Sequence, residues 1–590
     1  GRVRPFNILA DHARWIDSAV VYQVFPRIFV ENGRLTNVTQ KLPELASLGV
    51  NTIYLQPVFS TYYGGMGYDV MDYFTVRSDY GSLQDLRTLV QTAHALGMRV
   101  LLDFVPNHAS IYHPYAQDAI ANGPASHYYD FFQRSITTPP VLGTMYTKTV
   151  GKMSFVYYFT WSTMPNLNFD NAELCRMITE AGKYWIEQCD VDGYRADAVW
   201  ALNERAPAFM KEWRLALKRV KPDVLLLAED RAASPAVFDQ RFDAAYDWAP
   251  DPSWVSHWYW QTSYASDYRQ SKTIFNDAAT PDRTRLLGIA LTNNGNGYPR
   301  MNRVLRFMQN NDLPGFLATH DLPTTKMAAA LLFSLHGIPM MFNGEEIGNL
   351  THPYDAFMLF QAGKSIRSLD TRGLYDYYAQ LISMRKSHPA LSSPDMMPIG
   401  VYPTNLGLYA FRRWAGTQNV FTIINSGYNT TTARINIPVD SLALVPGKTY
   451  YLTDLLTGES FSRPAETFMT MFIPMNGVTT RLLYLDTVTV TGIKSPLAAG
   501  EVPLELSLEQ NYPNPFNPTT TIAFELPARS AVRLAVFDLL GREVAALVNG
   551  TLESGRHTAQ FNAGPLASGV YFYRLEVGKA SFVRKMLVMK

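Results

Sequence analysis

Carboxylates close three short apolar runs of this 590-residue chain: Asp197 ends GYRAD, Glu229 stands in LLLAED, and Asp321 ends THD. A fourth run, DFVPNH, carries Asp103, Asn107 and His108, and Arg195 stands two residues before Asp197. Singly, each is ambiguous, because an aspartate after a strand is more often a helix cap or an ion-pair partner. Together they fit one chemistry. Hydrolysis of an acetal needs a carboxylic acid of raised pKa to protonate the leaving oxygen. It also needs a carboxylate to attack or stabilise the oxocarbenium-like carbon. A retaining reaction holds the two about 5–5.5 Å apart, a spacing that neighbouring strands of one barrel supply.

The elements that must carry these residues are legible as alternation. From about residue 20 to 345, β-branched runs alternate with amphipathic stretches, the pattern of βαβ units and a parallel sheet. Strands are expected at 20–26, 51–58, 99–105, 193–199, 224–229, 244–248, 315–319 and 338–342, the eight of a closed (β/α)8 TIM barrel. In such barrels polar residues at strand C-termini form the active site, which places the third, fourth, fifth and seventh strand ends on one rim. One crossover shows the logic: Ser82 caps, Asp85 follows three on, Leu83, Leu86, Val90 and Ala93 keep helical spacing, and Gly97 stops the helix.

Residues 107–165 are too many for an ordinary βα loop and are expected to form an inserted domain after strand three. The barrel then comprises 1–106 and 166–390. From 391 to 488 alternating strands with Gly and Asn turns predict an antiparallel β-sandwich. Residues 489–504 read as a Pro/Ala/Gly linker, and 505–590 as a small immunoglobulin-like β-sandwich.

Composition limits the partners. With 52 Lys+Arg against 51 Asp+Glu the net charge is +1, and no basic stripe could neutralise a phosphate backbone, so no nucleic acid is expected. The 32 Phe, 34 Tyr and 10 Trp suit a neutral, hydroxyl-rich ligand that stacks on rings, although a large core uses such residues too. No apolar run is long enough for a transmembrane segment, and the first residues lack a signal-peptide core, so any leader is taken as removed. Cys175 and Cys189 fall in one expected helix, roughly 21 Å apart along its axis, and cannot pair there.

The motifs, in their order and spacing, make residues 15–485 resemble the α-amylase family of glycoside hydrolases. DFVPNH (103–108), GYRADAVWA (193–201), AED (228–230) and ATHD (318–321) resemble its four motifs. VYQVFPRIF (21–29), GYDVMDY (67–73), MPNLN (164–168) and GIPMMFNGEE (337–346) support them. The resemblance implies Asp197 as nucleophile, Glu229 as general acid/base and Asp321 as third carboxylate. Arg195 would keep Asp197 ionised, while Glu229 occupies a drier, less charged spot. His108 and His320 would donate to sugar hydroxyls, with Tyr68 as stacking platform and Asp69 as its support.

Three departures bear on that reading. Thr319 stands where the family has Asn before His-Asp. Trp200 and Ala201 replace a Lys-His pair, which makes Trp200 a candidate stacking residue beyond the scissile bond. MPNLN is similar to the neopullulanase and cyclomaltodextrin-degrading members. No organic cofactor is implied, but calcium is, with oxygen ligands from Asn107 and from the position of Asn168. That neutral amide replaces an acid, with Asp170 placed to compensate.

LEQNYPNPFNPTTTIAFEL at 508–526 and LASGVYFYRLEVG resemble the sorting domain of the type IX secretion pathway. This implies secretion machinery as a partner and a secreted or cell-surface bacterial protein. The sequence therefore predicts a secreted, retaining hydrolase of internal α-1,4 bonds in an α-glucan substrate. Neopullulanase- or cyclomaltodextrinase-like hydrolysis and transglycosylation are the enzymatic alternatives. A non-catalytic glucan-binding barrel is the rival of another class.

Overall fold

The computed structural model describes residues 14–62, 66–137, 140, 143–248, 258–260, 272–273, 275, 288, 291, 297–355, 358–361, 363–403, 407–442, 444–487, 506–508, 511, 514, 516–578 and 580–588. Eight parallel strands close a barrel: β1 (Val21–Val24), β2 (Thr52–Leu55), β3 (Arg99–Phe104), β4 (Gly193–Ala196), β5 (Leu225–Arg231), β6 (Ala244–Tyr246), β7 (Val304–Phe307) and β8 (Ile338–Phe342). Each hydrogen-bonds its sequence neighbours, and β1 pairs with β8. The strands are buried almost throughout, as expected of parallel strands covered on both faces.

Seven of the expected strands stand where the sequence put them, and the seventh does not. The apolar stretch 315–319 contains a single helical turn, Phe316–Thr319, and the strand is Val304–Phe307. Arg306 hides it. This buried guanidinium pairs with Asp247, just past β6, at 2.8 Å, and its Nε donates to the His336 carbonyl at 3.0 Å, so a charged residue sits inside a four-residue strand.

Local features behave as their chemistry requires. Ser82 and Asp85 form a reciprocal capping box at the start of helix α1 (Leu83–Ala95). Gly193 opens β4 at φ +157°, where a Cβ would lie 2.1 Å from the Leu225 carbonyl oxygen. Only glycine lets β4, which leads into Asp197, and β5, which carries Glu229, approach so closely.

Between β3 and helix α2 (Ala172–Cys189) the chain forms a helix, Pro114–Asn122, and a hairpin of Met145–Val150 with Met153–Tyr158. Both cysteines lie in α2, unpaired. After the barrel, antiparallel sheets of six and three strands enclose a separate apolar core. The chain divides into two compact units, Gly1–Lys494 and Ser495–Lys590. The second holds sheets of three and four antiparallel strands around its own core.

Asp192 ties the N-terminal end of the barrel, immediately before β4. It faces His94 of α1 at 2.7 Å, Arg99 of β3 at 2.9 Å and Lys221 at 3.1 Å, and accepts from the Val100 amide at 2.9 Å. Burial alone would raise this carboxyl, but the His94 hydrogen bond, Lys221 and the Val100 amide bring it from 3.8 down to about 2. A carboxyl depressed in the folded state stabilises the fold above its unfolded value, and that stability disappears as pH falls through about 2. Asp192→Asn should cost roughly 2 kcal/mol in urea unfolding at neutral pH, with the deficit narrowing toward pH 2. A deficit independent of pH would show that shape rather than charge is lost.

Candidate active site

Arg195 is the centre of the site. Only 1% exposed, it reaches three carboxyls: Nη1 lies 2.9 Å from Asp103 and 2.6 Å from Asp197, and Nη2 lies 2.8 Å from Glu229. Its Nε donates to the Tyr246 hydroxyl at 3.1 Å. Strand register makes this convergence possible, because Asp103 of β3 stands beside Arg195 of β4, which stands beside Leu227 of β5. Asp103 is held in turn by the Tyr54 hydroxyl at 2.6 Å and the Tyr68 hydroxyl at 3.1 Å.

One guanidinium cannot neutralise three ionised carboxyls, so protonation settles the charge. Burial pushes Glu229 well above its usual range, with the charges of Asp197 and Asp312 adding to the rise and Arg195 opposing it. Burial raises Asp197 too, but the charge of Arg195 and its hydrogen bond at 2.6 Å work against that rise. Protonation is therefore favoured on Glu229 over Asp197. Burial also lifts Asp103, to about 7. This corrects the expectation that Glu229 sits apart from positive charge: Arg195 touches both carboxyls, and burial with neighbouring anions tips the proton toward Glu229.

Backbone geometry completes the pair. Ala198, immediately after Asp197, takes φ +49° in the left-handed region, and its amide donates to Glu229 Oε2 before helix α3 (Val199–Arg205) begins. A left-handed non-glycine residue is an uncommon, strained conformation, held here between Asp197 and the Glu229 carboxyl.

The third carboxylate at the rim is Asp312, which the sequence reading missed. It follows β7, and its amide donates to Asn310 Oδ1 at 2.9 Å. Asn311 Nδ2 donates to its carboxylate at 3.1 Å, Gln23 Nε2 of β1 holds Asn311 Oδ1 at 2.8 Å, and the Tyr354 hydroxyl donates to Asp312. Its charge acts on Asp197, Glu229 and Tyr68. Burial raises its own pKa, against the pull of Tyr354 and Arg195.

Asp321, expected in this place, is exposed and serves as N-cap of helix α4 (Leu322–Ser334), accepting from the Thr324 amide at 2.9 Å. Its neighbour His320 stacks on Phe316 at 4.1 Å, with Nδ1 at 3.0 Å from the Phe316 carbonyl. The signals were present. Asp321 precedes Leu-Pro-Thr-Thr and an Ala/Leu run, which is a helix start. Asn310 and Asp312 supply the Asn-x-Asp spacing, with Asn311 where a histidine was sought.

The remaining expected residues divide. Tyr68 joins the cluster, its hydroxyl accepting from Gln56 Nε2 at 2.8 Å and its ring 5.9 Å from the Arg195 guanidinium. Asp69 accepts from Thr61 and so fastens the Tyr68 turn to the adjoining hairpin. His108 is buried and held neutral, pushed down to about 4 by burial. Its Nε2 lies 3.0 Å from the Tyr68 carbonyl and its Nδ1 3.2 Å from Asn107 Nδ2, so both ring nitrogens bind protein rather than stand free as sugar donors. Trp200 is 2% exposed, with Tyr158 edge-on at 4.6 Å. It packs the core beneath the inserted segment and cannot offer a face to a sugar.

The expected calcium ligands already serve other partners. Asn107 Oδ1 accepts from Arg205 Nη2 at 2.7 Å. Asn168 Oδ1 accepts from the Asp170 amide at 3.2 Å, and its Nδ2 donates to the Asp130 carbonyl at 2.9 Å, while Asp170 is exposed. These residues do not fit the ion. Among the described residues, no group of three or more His, Cys, Asp or Glu is arranged to hold a metal.

A parallel barrel that gathers the carboxyls of Asp197, Glu229 and Asp312 at one rim is the architecture of an enzyme that cleaves glycosidic acetals. The chain belongs to the α-amylase family: residues 23–362 match the family described as alpha amylase, catalytic domain. It is 28% identical to a cyclomaltodextrinase of Geobacillus thermopakistaniensis (strain MAS1), over 78% of this chain and 76% of that protein. It is 30% identical to an intracellular maltogenic amylase of Bacillus subtilis (strain 168), over 70% and 69% respectively. Among solved structures, an α-amylase of Geobacillus thermoleovorans in complex with acarbose superposes with TM-score 0.61 at 23% identity, covering 80% of this chain and 98% of that one. Residues 510–589 match the secretion system C-terminal sorting domain, and the protein is secreted or held at the cell surface. No helix among the described residues is long and apolar enough to cross a membrane.

The two aspartates separate cleanly by experiment. Asp312→Asn should lower kcat/KM by about 10³-fold with little change in thermal stability. Asp321→Ala should keep kcat/KM within about twofold and lose about 1 kcal/mol of unfolding free energy, as the loss of a helix cap does. The reverse pattern would return the role to Asp321.

Proposed function

We propose that this enzyme is a secreted, retaining α-glucan hydrolase that cleaves internal α-1,4 bonds of starch-like polymers and malto-oligosaccharides. The observation that carries the reading is the shared contact of Asp197 and Glu229 with Arg195, at 2.6 Å from Nη1 and 2.8 Å from Nη2. An inverting enzyme keeps its carboxyls about 6.5–9.5 Å apart to admit a water and a retaining one about 5–5.5 Å, and these two meet the two terminal nitrogens of one guanidinium. The proton on Glu229 passes to the glycosidic oxygen as the bond to the anomeric carbon breaks. Asp197 attacks that carbon from the opposite face, and the leaving sugar departs with a free hydroxyl. Glu229, now ionised, takes a proton from water, which displaces Asp197 and regenerates both groups. Asp312, across the rim, binds sugar hydroxyls and supports the distorted ring.

Similarity to the cyclomaltodextrinase, and 27% identity to neopullulanase 2 of Thermoactinomyces vulgaris over 75% of this chain, supports a second reading in which cyclodextrins or pullulan are preferred. Transglycosylation differs only in that a sugar hydroxyl replaces the water. Product analysis on starch, pullulan and cyclodextrin discriminates among these.

Proton NMR of an early malto-oligosaccharide digest tests the mechanism. Wild type should release the α-anomer, and Glu229→Gln should lose about 10³-fold or more in rate. Because Glu229 acts first as an acid, kcat/KM should fall on the alkaline side, at a pH well above the ordinary glutamate range. Early release of the β-anomer would overturn the nucleophilic role of Asp197.

A further inference from the structure

The oxygen atoms that would face a metal beside the inserted segment are already engaged by a side chain. Arg205, the last residue of α3, donates through Nη1 to the Leu167 carbonyl at 2.6 Å. Through Nη2 it donates to the Asn107 carbonyl at 2.8 Å and to Asn107 Oδ1 at 2.7 Å. Its guanidinium carbon lies 5.6 Å from the Phe169 ring. Among the described residues, all its hydrogen bonds run to neutral oxygens.

Backbone carbonyls and an amide oxygen converging on one point are the ligand type calcium takes. Here the planar fork of a guanidinium fits the same dipoles. A divalent ion among these oxygens would meet a fixed positive charge at hydrogen-bond range, a repulsion little screened away from bulk water.

We propose that Arg205 is the resident cation of this chain at the place where calcium is implied by the fold family. It cross-links three segments: the loop after β3 that carries His108, the exit of the inserted segment at Leu167, and the helix that follows Asp197. Leu167 also donates its amide to the Asn107 carbonyl at 3.1 Å, so the guanidinium closes a junction the backbone has begun. The enzyme therefore keeps this junction without a calcium requirement.

Thermal unfolding of the full chain with EDTA, and with millimolar calcium, tests this in wild type, Arg205→Ala and Arg205→Lys. Wild-type Tm should be the same in all conditions. Arg205→Ala should melt about 3 °C lower in EDTA and recover part of that loss with calcium, which enters the vacated oxygens, and Arg205→Lys should lose less than Arg205→Ala. A wild-type Tm that falls on chelation overturns the proposal, and this arm stands even if a variant fails to fold. Equal losses in both variants with no response to calcium also overturn it, because Arg205 would then act by packing alone.

Discussion

A single buried guanidinium sets the terms for the rest of this enzyme. Three carboxyls meet Arg195, and taking them out of water is costly unless each is paired, hydrogen-bonded or protonated. All three remedies are used. Asp103 receives the Tyr54 and Tyr68 hydroxyls, Asp197 has the closest contact with the guanidinium, and protonation is favoured on Glu229. The rings of Tyr54, Tyr68 and Tyr246 surround the charge with centroids 5.5–5.9 Å from it, limiting its access to water. The difference between Asp197 and Glu229 thus follows from sharing one positive charge among too many acids.

That arrangement explains the demands on the barrel. Arg195, Asp103 and Glu229 come from three adjacent strands, and a shift of one residue in any register would point one of them away. Gly193 permits the close approach of β4 and β5, and Asp192 anchors the other end of β4 to α1, β3 and Lys221. The same device recurs between β6 and β7, where Arg306 pairs with Asp247, whose carboxylate also accepts from the Tyr298 hydroxyl at 2.9 Å. Charges inside this barrel are tied across neighbouring elements.

Most of the barrel was legible because its strands are short apolar runs with polar closings, a one-dimensional signal. Ser82 and Asp85 announced a helix start by spacing alone, and the structure has that capping box. The failure at β7 has a specific cause: Arg306 breaks the apolar run, while the Phe-Leu-Ala stretch after Gly315 imitates a strand. The error carried Asp321 into a role that its own helix-start context argued against. Trp200 failed for a related reason, since a tryptophan near a nucleophile reads as a sugar platform until its burial against Tyr158 is seen.

By itself the sequence determined the class of chemistry, the barrel, the antiparallel domains after it, and Asp197, Glu229 and Arg195 as the residues to watch. These are properties of local pattern and of motif. Tertiary structure alone decided which third aspartate reaches the rim, how burial and charge set Glu229 apart from Asp197, and that Arg205 takes up the oxygens of Asn107 and Leu167. Each depends on distances between segments far apart in sequence, and on the summed burial and charge around a group. A linear order of residues carries neither.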